Sequence, residues 1–416
     1  MSESQDKGVG VRGAYGVGRR EFLGTAMAVG AGLLAGPLGS IRPAAAADPF
    51  KLGWVRPTTG RWASSFAPLY AGGLIAVEEI NAAGGIMGRP IARVEEDDEA
   101  SVAKQPAVIK KLQEQGCSFI LGPTGSSQAL AAAAVTTPAK IIHGVYGIAA
   151  ALGDGEKYPY AYMCTFNTDQ QGEVAATYLA ETLKVKKVGI LQENTAFGEG
   201  TVASSKATLQ KYGITPVATE VVPVNAPDLN AYIGNLRKAG AEGLMIWVSN
   251  IPQLAMAFNA MAAIKWFPPT TGHNQLFNAS LLELVPGDAI QNVYGTALRN
   301  FTWSATATPA ARQVAFAKKL QGYPEAKGSE PIVACAPFYD FLYLLKHVVE
   351  SQKSFEPEAV KRGLDAVKNF PGMQGTINFT PTVHRALSTE ALCMATVASG
   401  RSPKAMGPFR ERAPGA

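Results

Sequence analysis

The sequence predicts an α/β protein made of two doubly wound lobes, each a parallel sheet with helices on both faces. Three observations predict it. Short apolar runs without polar alternation suit strands buried on both faces. Ala-rich or amphipathic stretches alternate with them, and the same alternation starts again near Asp169. At 416 residues the chain exceeds one small domain, and its 47% hydrophobic and 17% charged residues allow large cores and argue against global disorder.

The first 46 residues read differently from the rest. Gly18-Arg19-Arg20-Glu21-Phe22-Leu23 is a twin-arginine pattern. A weakly apolar stretch from Gly24 to Ile41 follows, then Ala44-Ala45-Ala46, a small-residue cleavage site. A membrane anchor is the competing reading, but the many glycines, Pro37 and the marginal length count against it. A Tat-type export signal over residues 1–46 is expected, with a mature chain that starts near Ala47 and resides in the periplasm. Gly8-Val9-Gly10-Val11-Arg12-Gly13 matches a dinucleotide fingerprint only formally, because no strand precedes it and no helix follows.

In the first series, Lys51–Val55 is a strand and Leu69–Ala82 a helix that stops at Gly84-Gly85, residues suited to a left-handed helix end. Ile91–Glu95 is a strand and Val102–Gln115 a helix. The central stretch is Phe119-Ile120-Leu121-Gly122-Pro123-Thr124-Gly125-Ser126-Ser127-Gln128: a buried strand, a glycine turn and a helix start, with Ser126 or Ser127 as N-cap. The Ala-rich run Ala129–Val135 continues this helix, and Ile141-Ile142 is the next strand. A helix start of this kind offers unpaired N–H groups, hydroxyls and the positive dipole end, which suit a carboxylate; a capped helix without ligand is the competing reading. In doubly wound sheets ligands bind outside the carboxyl ends of strands, where Ser126 falls.

In the second series, Gln171–Leu183, Gly198–Tyr212, Leu229–Ala239 and Gln253–Ala263 are helices. Lys187–Leu191, Thr215–Val222 and Gly243–Val248 are strands between them, and Ala336–Val349 is a later core helix. Two similar lobes with a cleft between them make a clamp for a small molecule.

The formal charge is +5, and without the first 46 residues 33 basic and 30 acidic residues remain. No basic cluster accompanies this balance, so no nucleic-acid partner is expected. Cys117, Cys164, Cys335 and Cys393 lie far apart without zinc spacing, and buried free thiols or disulfides both fit. The four histidines show no metal spacing, so neither metal nor cofactor is expected. No G-x-S-x-G elbow, P-loop or H-E-x-x-H motif supports an enzyme.

Several motifs, in order, resemble one family. Asn81-Ala82-Ala83-Gly84-Gly85-Ile86-Met87-Gly88-Arg89-Pro90-Ile91 is similar to the N-x-x-G-G-I-x-G-x-x-I segment of leucine/isoleucine/valine-type solute-binding proteins. Glu96-Asp97-Asp98, Ile120-Leu121-Gly122-Pro123, Asp169-Gln170-Gln171-Gly172, Phe197-Gly198-Glu199-Gly200 and Asn278-Ala279-Ser280-Leu281 continue the likeness, from about Lys51 to Phe379. The resemblance implies a type I periplasmic-binding fold with three hinge crossovers near Asn167–Thr168, Thr296–Arg299 and Gly375–Phe379. Lobe 1 would comprise residues 49–168 and 299–375, lobe 2 residues 169–298 and 376–400, and residues 401–416 a C-terminal tail. It implies a monomer that carries a small ligand to an ABC-type permease of the inner membrane.

Carried over by position, the implied ligand site comprises Ser126 and Ser127, with Trp62, Ser65 and Phe66 in the first loop. Tyr146, Gly147, Phe197, Asn250 and Asn274 complete it. Ser126 matches the serine that bonds the ligand carboxylate. The family threonine falls at about Gly147, and the usual tyrosine before G-E-G is Phe197. The acid that pairs with a ligand ammonium aligns with Asn274, and a neutral amide cannot offset a buried ammonium as a carboxylate does. Two ligand classes therefore stand: an amino acid of the branched-chain or hydrophobic type, or an amine-free aromatic carboxylate, short amide or urea. A ligand sensor of the same fold is the other functional reading. The bland readings stand beside these: Trp62 and Phe66 as loop-to-core anchors, Phe197 as a hydrophobic stop, Asn274 as a turn residue, Asp97-Asp98 as a turn and helix cap.

Overall fold

Two sheets carry the chain in a computed structural model that describes residues 48–60, 62–326, 332–401 and 407–416. The export signal expected over residues 1–46 lies outside the described residues. The first sheet is β1 (Phe50–Arg56), β2 (Ile91–Asp97), β3 (Phe119–Leu121), β4 (Ile142–Val145) and β5 (Ala161–Met163). Its strands are all parallel, in the order β2-β1-β3-β4-β5. The unbroken apolar run Phe119–Leu121 makes sense in its place at the centre. Phe119 and Leu121 face one hydrophobic layer and Ile120 the other. The edge strand β2 instead alternates partly buried and exposed side chains from Ala92 to Glu95.

One face of this sheet carries α2 (Ala71–Ala82), reached through the short helix α1 (Ala63–Phe66), and the other carries α3 (Gln105–Glu114) and α4 (Ser126–Thr136). The family-like segment after α2 is structural. The Asn81 amide exchanges two hydrogen bonds with the backbone of Ile91 at 2.7 and 3.0 Å. Gly85 has φ 80°, and a Cβ there would stand 2.1 Å from the Arg89 carbonyl oxygen. Asp97 and Asp98 accept bonds from Thr58, Thr59, Glu99, Ala100 and Gln105, which makes them turn residues; the expected helix cap is not theirs, since Lys104 holds the N-cap position of α3.

The second sheet begins after α5 (Thr168–Thr177). It contains β6 (Val188–Glu193), β7 (Ala218–Val222), β8 (Gly243–Trp247), β9 (Thr270–Gly272) and β10 (Val293–Leu298). Helices α6 (Ala196–Lys211), α7 (Asn230–Lys238), α8 (Ile251–Ala263) and α9 (Ala279–Leu284) alternate with these strands. Along β8, Leu244 and Ile246 pack under α7 and α8, while Met245 and Trp247 pack under α5 and α6. The small strands β11 (Thr302–Trp303), β12 (Phe370–Pro371) and β13 (Thr376–Ile377) follow. Helices α10 (Ala311–Leu320), α11 (Ala336–Gln352) and α12 (Pro357–Asp365) return to the first sheet. Strand β14 (Leu392–Thr396) then joins the second sheet antiparallel to β10, giving the order β14-β10-β9-β8-β6-β7. These are two doubly wound α/β lobes.

Two features differ from the sequence expectation. Residues 376–386 stay with the first lobe: Arg385 bridges Met163, and the His384 N–H donates to the Gly153 carbonyl. The passage to the second lobe therefore follows Ala386 instead of falling at 375–379. The segment 407–416 is no loose tail, since β15 (Arg410–Glu411) pairs with β11 and the Ala413 N–H donates to the Met394 carbonyl. All four cysteines are buried, and none forms a disulfide with another.

Candidate functional site

The cleft is built from strand ends. After β3 the chain turns through Gly122 and Gly125, both at positive φ, and enters α4. Gly125, not a serine, is the N-cap, so neither Ser126 nor Ser127 caps the helix. At φ 93° only glycine is comfortable there, and both hydroxyls are freed for other partners. The Ser126 Oγ accepts the N–H groups of Ile148 (3.1 Å) and Ala149 (3.0 Å), which pins the loop after β4 to the helix start. Its own proton remains to donate. The Ser127 Oγ accepts the N–H of Ala196, the first residue of α6, at 3.1 Å across the cleft. Two further bonds cross between the lobes: the Ile251 N–H to the Ser65 Oγ (3.4 Å) and the Gln275 amide to the Ser65 carbonyl (3.4 Å).

Between the lobes lies a cavity with about 680 Å³ of empty space, its open mouth included. Its apolar wall is mostly aromatic: Trp62 stacks on Phe66 at 5.0 Å, Phe166 and Phe197 continue it, and Leu69 and Ile148 complete it. Phe197 meets the His273 ring edge-on at 5.2 Å. The polar wall holds the start of α4 with Thr124, and Glu193, Thr195, Ser249, His273, Asn274 and Gln275 from the second lobe.

The protonation states follow from burial. His273 is pushed down to about 4 by burial and bonds through Nε2 to the Val248 carbonyl at 2.5 Å, so it is a neutral ring near pH 7. Burial raises the Tyr146 phenol, against a lowering by its bond to the Asn274 amide. Glu193 is also raised by burial, opposed by the Ser249 N–H and the hydroxyls of Thr195 and Ser249.

A family profile described as periplasmic binding protein matches residues 49–401. The chain belongs to this family. This periplasmic binding protein is 27% identical over 342 residues to the leucine-, isoleucine-, valine-, threonine- and alanine-binding protein of Pseudomonas aeruginosa, covering 80% of the chain and 86% of the relative. Its fold matches the substrate-binding protein of a branched-chain amino acid transporter from Streptococcus pneumoniae, solved with isoleucine. That match has 22% identity and TM-score 0.73 over 84% of this chain and 96% of the other. It also matches an ABC-transporter solute-binding protein of R. palustris solved with benzoate, at 17% identity and TM-score 0.74 over 87% and 94%. These likenesses identify the type I fold of the periplasmic binding proteins.

In this periplasmic binding protein seven of the residues carried over from the sequence line the cavity: Trp62, Phe66, Ser126, Ser127, Tyr146, Phe197 and Asn274. Ser65, Gly147 and Asn250 do not. Ser65 is turned to the interlobe bonds, and Asn250 caps α8 by accepting the Gln253 N–H at 3.2 Å. Gly147 lies against α4, where a Cβ would come within 2.4 Å of the Ala129 Cβ, so a threonine has no room there. Glu193, Thr195 and Ser249 were missed. Glu193 ends β6 and Ser249 follows β8, so the rule that points to strand carboxyl ends singles them out once those ends are known. Among the described residues no group of three or more His, Cys, Asp or Glu could hold a metal ion.

Proposed function

We propose that the chain is the extracytoplasmic substrate-binding protein of an ABC-type importer, and that its ligand is an amine-free monocarboxylate with an aromatic body. It is exported through its twin-arginine signal, binds as a monomer in the periplasm without turnover, and passes the ligand to an inner-membrane permease. The observation that carries the ligand class is the cavity itself. The start of α4 with the Ser126 hydroxyl offers donors for one carboxylate, and stacked aromatic rings line the body of the space. Asn274 brings an amide and no carboxylate to the position implied for the ammonium partner. The remaining acid, Glu193, has both oxygens occupied by protein donors at 2.6 to 3.1 Å. A bound ammonium would therefore have to share an acceptor that Thr195 and Ser249 already use. A fold neighbour solved with benzoate supports the size class.

A thermal-shift panel on the chain from Ala47 tests this. Benzoate, hydroxybenzoates or phenylpropenoates raise the melting temperature saturably, and leucine, isoleucine, valine and phenylalanine do not. A saturable rise with the amino acids alone overturns the ligand class.

A further inference from the structure

Among the described residues, Glu193 is the only acidic side chain that lines the cavity, and no lysine or arginine lines it there. It is 2% exposed and makes no ion pair among the described residues. Its charge is met by dipoles. The Thr195 hydroxyl donates to Oε1 at 2.6 Å, the Ser249 N–H to Oε2 at 2.7 Å, and the Ser249 hydroxyl to the two oxygens at 3.1 and 2.9 Å. Thr195 is the N-cap of α6, and Ser249 precedes Asn250, the N-cap of α8. The second lobe thus presents two helix starts and two hydroxyls, the equipment of an anion site, and the chain's own carboxylate fills it. The first lobe presents a comparable helix start, that of α4, with no acidic side chain beside it in the cavity wall.

We propose that Glu193 is a specificity-determining residue that limits the ligand to one anionic group. The proposal rests on the monocarboxylate reading above. A ligand carboxylate bound at α4 leaves only neutral side chains such as Asn274 and Gln275 for a second one, and a second one would share the enclosed space with a fixed negative charge. Such a repulsive element rejects dicarboxylates of the same shape as accepted monocarboxylates. Selectivity is then set by charge and not by cavity size.

The test compares shape-matched pairs by calorimetric titration at pH 8: 2-, 3- and 4-nitrobenzoate against phthalate, isophthalate and terephthalate. A nitro group has nearly the shape of a carboxylate without its net charge. For the isomer that binds, the expected result is a dicarboxylate affinity at least about tenfold weaker than that of its nitro partner. Glu193→Gln should narrow that ratio to within about threefold. A dicarboxylate that binds the wild-type protein as tightly as its nitro partner overturns the role of Glu193 and leaves the monocarboxylate reading intact. Failure of every nitrobenzoate to bind overturns that reading, and the inference with it. Should Glu193→Gln not fold, the wild-type series alone decides. Binding of isoleucine that Glu193→Gln abolishes would make Glu193 an ammonium partner and contradict the inference directly.

Discussion

Ser126 does two things through one oxygen. It holds the Ile148–Ala149 backbone to the start of α4, and in the proposed function its proton goes to the ligand carboxylate. A hydrogen bond to a charged group contributes about 1.5–3 kcal/mol. Ser126→Ala should therefore weaken carboxylate binding by roughly 10- to 100-fold, and calorimetry reads it. The same variant should lower the melting temperature without ligand, because two buried N–H groups lose their acceptor. The sequence pointed to Ser126 from the strand–glycine–serine pattern and assigned it the wrong local job, because a cap is the common use of serine before a helix. Backbone conformation decided otherwise: Gly125 at positive φ occupies the cap position. Gly147 shows the same limit, since the need for a glycine there arises from the approach of Ala129, which no local pattern displays. Glu193 escaped notice because a glutamate at a strand end is commonly solvated, and only the convergence of Thr195 and Ser249 shows that it is enclosed.

At the scale of elements, the alternation of apolar runs and helical stretches was legible because both faces of each central strand are covered. Strands β3 and β8 read as unbroken hydrophobic sequence for that reason. Strands β5 and β9 were not read: three residues each, Ala161-Tyr162-Met163 and Thr270-Thr271-Gly272, carry too little pattern. Strand β4 carries a consequence for pH. Its His143 is buried, bonds to the Thr136 hydroxyl (3.0 Å) and the Gly122 carbonyl (2.6 Å), and is pushed down to about 4 by burial. His273 is lowered to a similar value. In the unfolded chain imidazoles titrate near 6.5, so between about 6.5 and 4 the unfolded state binds more protons. The stability present above 6.5 is lost as pH falls through that window. Asp340, raised to about 6 by burial, acts in the opposite direction, because the native state protonates first. Urea unfolding at pH 7, 6 and 5 should show a shallower loss of stability on acidification for His143→Gln than for the wild type. An equal loss in both would mean that His143 does not carry the effect.

At the scale of the molecule, the lobes meet through Ser127 and Ala196, Ser65 and Ile251, and Gln275 and Ser65, and these bonds flank the cavity. A ligand that spans from α4 to the second lobe adds to this set, which couples binding to closure. The order of family-like motifs was enough to read this architecture. The place where the chain returns to the second lobe was not legible, because residues 383–386 are held by long-range pairing with Asp154 and β5. The ligand class rests on what the closed cavity does to an α-ammonium group. Phenylalanine and 3-phenylpropanoate differ by that group alone, so calorimetric titration of the chain from Ala47 with each isolates it. The account predicts a saturable heat with 3-phenylpropanoate and an affinity for phenylalanine at least about tenfold weaker. Tighter binding of phenylalanine would contradict it.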